Sequence, residues 1–140
     1  MANEGENFID ANIFIRYLSG DDLDKFQRTK VLFQKAKNGK ILLSTTSLVI
    51  AEVYYVLGSK KLYNFPKNQI ADLLLPFIFL SNLKIEDKSL VIKAISMATV
   101  YGVDFEDAYS LAYMNANAIE SIYSYDKDFD KAIGVKRLEP

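Results

Sequence analysis

The chain of 140 residues is half apolar, which fits one globular domain over 1–140 with enough material for a real core. It contains neither cysteine nor histidine, which excludes disulfides, thiol nucleophiles, Ser-His-Asp relays and zinc held by His or Cys. Seventeen basic residues against eighteen acidic ones leave a net charge of -1; this does not advertise nucleic-acid binding, although an enzyme that grips a few phosphates locally need not be basic overall.

The opening "MANEGEN" has neither the basic nor the apolar region of a signal peptide. The longest apolar runs are too short or too interrupted to span a bilayer, so a cytoplasmic location without a membrane partner is expected. From Asn7 a short alternation predicts a strand, after which "ANIFIRYLSG" has helical spacing and stops at Ser19-Gly20. "DDLDKFQRTKVLFQKAKNGK" opens with acids and repeats apolar residues at Leu23, Phe26, Val31, Leu32 and Ala36, a second helix. "KILLST" predicts a short strand, and Thr45, Thr46 or Ser47 caps a helix through "LVIAEVYYVLGSKK". A helix runs from Pro66 through "KNQIADLLLPFIFLS", with Pro76 expected to kink or break it.

"NLKIED" alternates as a strand, "KSLVIKAISMATVYG" is helical, and Asp104 looks like the N-cap of "FEDAYSLAYMNANA" with Asp107 in its first turn. "ESIYSY" reads as a buried strand, "DKDFDKAI" as a helical turn and "GVKRLEP" as a final strand. Strands alternating with helices point to an α/β domain with a mostly parallel sheet, because each parallel connection needs a crossover. Ligands gather beyond the carboxyl ends of such strands, and Asp10 and Asp126 stand at two of those ends.

The acids carry the chemistry. Glu52 sits in Leu48 to Leu57, where every other residue is apolar, so its helix is expected to be buried all round. A carboxylate there needs an Arg or Lys partner, a raised pKa or a bound cation. Asp10 alone reads as a helix cap, with Asn12 as a second cap or a residue that orients Asp10 or a water. Asp104 and Asp107 lie three apart, and helical projection leaves open which faces inward. In "YDKDFDK" the spacing fails the EF-hand pattern, so Asp126 is expected to end the strand while Asp128 and Asp130 face solvent near Lys127 and Lys131. Ser124 either bonds a carboxylate or a metal-bound water, or simply finishes the strand. Three or four carboxylates converging at one end of a sheet would repel without a cation, and with no His or Cys a hard, oxygen-held ion such as magnesium or manganese leads. Phosphodiester hydrolysis is the natural reaction of such a site.

These residues resemble the PIN domains, small metal-dependent ribonucleases, and within them the VapC-type toxins of prokaryotic toxin-antitoxin pairs. "FIDANIFIRYL" resembles the first motif and "SLVIAEVYYVL" the second, with Glu52 as its acid. "GVDFEDAYSLAYMNA" resembles the third, where the Asp directly before Ala selects Asp107 over Asp104, and "SIYSYDKDFDKAIGVKRLEP" the closing motif, which selects Asp126 with Ser124 as support. The resemblance implies a three-layer α/β/α sandwich around a four- or five-stranded sheet, frequent homodimers, and a Mg2+- or Mn2+-dependent endoribonuclease using Asp10, Glu52, Asp107 and Asp126 as metal ligands. Asn12, Ser124, Asp104 and Asp128 would support them, with Arg16 and Lys127 as the nearest RNA contacts. RNA is the implied substrate and a cognate antitoxin the implied partner. The alternatives are a PIN nuclease of RNA maturation or decay without an antitoxin, and an inactive PIN-like binding module. Ser124 stands where Thr is more usual, and no Arg cluster surrounds the acids. Tyr17, Tyr54, Tyr55, Tyr109 and Tyr125 are candidates for base stacking or for packing.

Overall fold

The computed structural model describes residues 5–140, so Met1 to Glu4 of the leader reading lie outside the described residues. The chain divides into two compact units, one ending at Lys88 and one beginning at Ser89.

The first unit holds β1 (Asn7–Phe8), α1 (Ala11–Ser19), α2 (Leu23–Lys37), β2 (Leu43–Thr45), α3 (Ser47–Gly58), α4 (Lys67–Ile78) and β3 (Leu83–Ile85). Its strands form one parallel ladder in the order β1-β2-β3, with Asn7 opposite Leu43 and Leu43 opposite Leu83. A helix pair fills each crossover, as parallel pairing requires. The helix starts follow the side chains that can take an unpaired N–H. Asp10 caps α1, the Asp22 carboxylate accepts from Lys25 N at 3.0 Å to cap α2, and the Thr46 hydroxyl accepts from Val49 N at 3.4 Å to cap α3. Gly20, at φ +64°, ends α1 in a conformation that disfavours a side chain.

Phe14, Leu43, Ile50, Leu74 and Leu83 are fully buried at the centre of this unit. Each such side chain contributes about 1.5–3 kcal/mol relative to exposure. Tyr17 packs with Phe26, Phe33 and Phe77 at ring separations of 5.0 to 5.5 Å, and Phe33 meets Phe77 at 4.6 Å, joining α1, α2 and α4. Tyr17 and the buried Tyr54 are therefore packing residues, whereas Tyr55 stays exposed. Pro76 does not break α4 where it stands; the helix continues two residues to Ile78. Its missing N–H falls in an exposed last turn, where water can serve the unpaired carbonyl.

The expectation that α3 is buried all round is not met. Ile50, Val53, Tyr54 and Leu57 face the core, while Leu48, Glu52 and Tyr55 line an exposed face, with Leu48 80% and Tyr55 72% accessible. Glu52 is exposed, so burial does not compel a partner for it. The continuous apolar run misled because surfaces carry apolar residues freely.

The second unit carries α5, which starts at its boundary (Lys88–Tyr101), then α6 (Phe105–Ala116), β4 (Ser121–Tyr123), a short 3-10 turn η1 (Lys127–Lys131) and β5 (Lys136–Leu138). Strands β4 and β5 pair in parallel, Ile122 opposite Arg137. Leu111, Phe129 and Ala132 form a buried cluster that Met97, Tyr101, Ile122 and Val135 flank, tying α5, α6 and η1 to the ladder. Contrary to its sequence pattern, β4 is not a buried strand: Ser121 and Tyr123 are exposed and only Ile122 is partly covered. A strand with a ladder partner on one side and one apolar contact face needs no more.

The fold is α/β with parallel strands and helical connections, as expected. The described residues supply five strands, hydrogen-bonded as a ladder of three and a ladder of two. No helix among them is long and apolar enough to cross a membrane.

Candidate metal centre

Two local structures in the second unit aim carboxylates at one another. The first is the start of α6. Asp104 occupies the N-cap position with extended backbone, is exposed, and makes no side-chain capping bond to the helix. Asp107, one turn on, is half-buried on the side of the buried Ala108 and Leu111. The inward acid is therefore Asp107.

The second is the turn that follows β4. Ser124 Oγ accepts the Asp126 N–H at 3.0 Å, so the serine supports the backbone of Asp126 rather than its carboxylate. Asp126 Oδ1 then accepts the Asp128 N–H at 2.9 Å and caps η1, whose Phe129 is buried as an anchor. The result is that one carboxylate oxygen each from Asp107, Asp126 and Asp128 lie within 4.8 Å of one another.

Like charges at such separations are costly, and Asp107 registers it. Its pKa is raised, first by burial and then by the negative charge of Asp126, Asp104, Asp128 and Glu106. Lys131 Nζ approaches Asp128 Oδ1 at 3.0 Å, but both side chains are about half exposed, so that pair offsets little. Asp128 accordingly does not simply face solvent; it belongs to the acidic group. An all-oxygen donor set with mutual repulsion fits a hard divalent cation, magnesium or manganese, and Asp107, Asp126 and Asp128 are the residues that would hold it.

The other expected acids lie in the first unit. Asp10 follows β1, is exposed, and accepts the Asn12 N–H at 3.0 Å, so Asn12 orients it through the main chain. Glu52 stands on the exposed face of α3. Arg16 is engaged elsewhere: its Nη1 lies 3.3 Å from both oxygens of Asp21, which also accepts Ser19 Oγ at 2.9 Å and Tyr63 OH at 2.5 Å. Lys127 is exposed at the start of η1. Tyr109 is half-buried against Phe105, at 6.3 Å between rings, and Tyr125 is exposed beside the acidic turn.

Sequence reasoning missed Arg137. Asp130 is exposed, as expected, and Arg137 Nε donates to its Oδ1 at 3.0 Å. A usable signal was an arginine inside a predicted strand close in sequence to three acids.

The profile of the PIN domain matches residues 8–134, and the chain belongs to the PIN domain family. That family is one of nucleases that use divalent metals, which agrees with the carboxylate cluster at Asp107, Asp126 and Asp128. Comparison with curated proteins finds no match.

Proposed function

We propose that this chain is a magnesium- or manganese-dependent endoribonuclease and the toxin of a type II toxin-antitoxin pair. The observation that supports it most directly is the convergence of Asp107, Asp126 and Asp128, residues contributed by the third and closing motifs of a nuclease family. The motif resemblance gives Asp10 and Glu52 the same duty as metal ligands, directly or through water. A divalent ion bound to such acids polarises a phosphoryl oxygen and makes a water nucleophilic near neutral pH.

The residues of this chain do the rest. Asp107 and Asp126 bring negative charge that a bound cation would offset, and the Asp128 and Asn12 amides hold the Asp126 and Asp10 carboxylates in place. Water adds to the backbone phosphorus, the bond to the 3' oxygen breaks, and that oxygen leaves with a proton. The products carry a 5'-phosphate and a 3'-hydroxyl. The ribose 2'-hydroxyl takes no part. An antitoxin segment that presents an arginine to the carboxylates would silence the site by a bidentate, charge-assisted pair, and the toxin works as a homodimer in the cytoplasm.

The test is cleavage of a mixed RNA pool by wild type, Asp10→Asn and Asp107→Asn, each with magnesium, manganese or EDTA. Metal-dependent cleavage that both substitutions abolish, with 5'-phosphate ends, is the expected result. Cleavage that survives EDTA, or that survives both substitutions, would sink the reading.

A further inference from the structure

The turn that carries Asp126 and Asp128 is short, mostly exposed and closed by bonds to its own side chains. Bonds of that local kind resist opening weakly. One long-range contact set stands out against them. Arg137 projects from β5 and is 13% accessible at its side chain, although Lys136 beside it is exposed. Its Nη1 donates to the Ser124 carbonyl at 3.0 Å, two residues before Asp126, and its Nε donates to Asp130 Oδ1 at 3.0 Å, two residues past Asp128 and near the end of η1. Glu139 Oε1 accepts from Nη1 at 2.7 Å and fixes the plane of the guanidinium.

From this geometry we infer that Arg137 is the positioning residue of the metal centre: a strut that clamps both ends of the turn so that Asp126 and Asp128 meet the ion ready-formed. The inference rests on the metal-site reading above. Arg137 touches neither substrate nor ion. It acts through the backbone of Ser124 and the side chain of Asp130. A guanidinium suits the task because its rigid fork sends Nε and Nη1 toward separate acceptors, which a lysine ammonium on a single flexible stem does not reproduce. Groups that orient metal ligands from behind typically govern affinity by about 10- to 100-fold, the size of effect expected here.

The experiment compares wild type with Arg137→Gln, Arg137→Lys and, as a control in a fully exposed pair on α2, Arg28→Gln. Two quantities are read: backbone amide exchange at Asp126 and Asp128 by NMR in metal-free protein, and Mn2+ affinity by electron paramagnetic resonance. Arg137→Gln should speed exchange at both amides by about tenfold or more while the buried amides of α6 keep their protection. It should also weaken Mn2+ by about 10- to 100-fold. Arg137→Lys should recover little of either, and Arg28→Gln should match wild type. Exchange or Mn2+ affinity unchanged in Arg137→Gln would overturn the assignment, as would full recovery by lysine, which would reduce the role to charge. If wild type itself binds no Mn2+, the metal reading fails. The strut is then judged on exchange alone, where faster exchange upholds it and unchanged exchange ends it. Should Arg137→Gln not fold, Asp130→Asn removes one arm of the clamp and should move both readouts in the same direction by a smaller factor; no movement would overturn the proposal.

Discussion

Asp21 and Asp107 are the same residue in opposite surroundings. Asp21, at the α1–α2 connection, is ringed by donors: its pKa is lowered, chiefly by the hydrogen bond from Tyr63, then by that from Ser19, with Arg16 adding to both against a small opposing effect of burial. Asp107, on α6, is raised by burial first and then by four neighbouring acids. The fold surrounds the first carboxylate with donors and the second with other acids, which on the proposed function a cation would balance. The direction of a carboxylate's shift, joined to what surrounds it, separates an acid that holds structure together from one kept for a ligand.

The largest effect that contrast predicts is on cleavage. Asp107→Ala or Asp126→Ala should lower the rate by on the order of 100-fold or more, since stabilisation by a bound ion is a matter of several kcal/mol. Asp21→Asn, assayed well below its melting temperature, should stay within about twofold of wild type. Comparable losses at Asp21 and Asp107 would erase the distinction.

Next comes the response to metal. An ion that binds only the folded state stabilises it by about 2.7 kcal/mol at a hundredfold excess over its dissociation constant. Magnesium or manganese should therefore raise the melting temperature of wild type and of Asp21→Asn, but not that of Asp107→Asn. An equal rise in all three would place the ion away from Asp107.

The dependence on pH is smaller and opposite at the two positions. Because folding raises the pKa of Asp107, its contribution to stability is fully present below the unfolded carboxylate value, about 4, and is lost as pH rises through the higher folded value. In EDTA at pH 7, Asp107→Asn should consequently be more stable than wild type, with the gap closing on acidification. Asp21 runs the other way: its contribution is present above the unfolded value and lost as pH falls through the lower folded one. Asp21→Asn should be less stable than wild type at pH 7 and converge with it in acid. Urea denaturation at pH 7 and near pH 3.5 checks both signs, and matching signs would contradict the electrostatic picture.

Local chemistry made the elements legible in the sequence. Asp10, Asp22 and Thr46 cap helices where their side chains can take an N–H, and Gly20 and Gly102 stop helices at φ +64° and +65°. What failed were readings that depend on partners elsewhere in the chain. The apolar stretch around Glu52 reads as buried because a run of apolar residues has no period to show which face turns outward. For the same reason "ESIYSY" gave the strand but not its exposure. Motif resemblance chose Asp107 over Asp104, which periodicity could not do. Full membership of Asp128 required the turn in which Asp126 accepts its amide, and the role of Arg137 required the pairing of β5 with β4, which brings an arginine back to a turn closed well before it.

The smallest expected effect isolates one contact of the Asp21 cluster. Tyr63→Phe removes the hydroxyl that donates to Asp21 at 2.5 Å while retaining the ring that sits 5.9 Å from Phe65, so packing is held constant. Ser19 and Arg16 remain as donors, and water replaces the lost one at this accessible site. The cost should be only about 0.5–1 kcal/mol. It should exist only where Asp21 is ionised, because the bond serves the charged form; lowering the pH through the titration of Asp21 should bring the variant back to wild type. Tyr63→Phe should cleave RNA as wild type does. A loss of stability that persists unchanged in acid would mean that the hydroxyl matters for something other than the charge on Asp21, and the donor-ringed half of the comparison would then need a different cause.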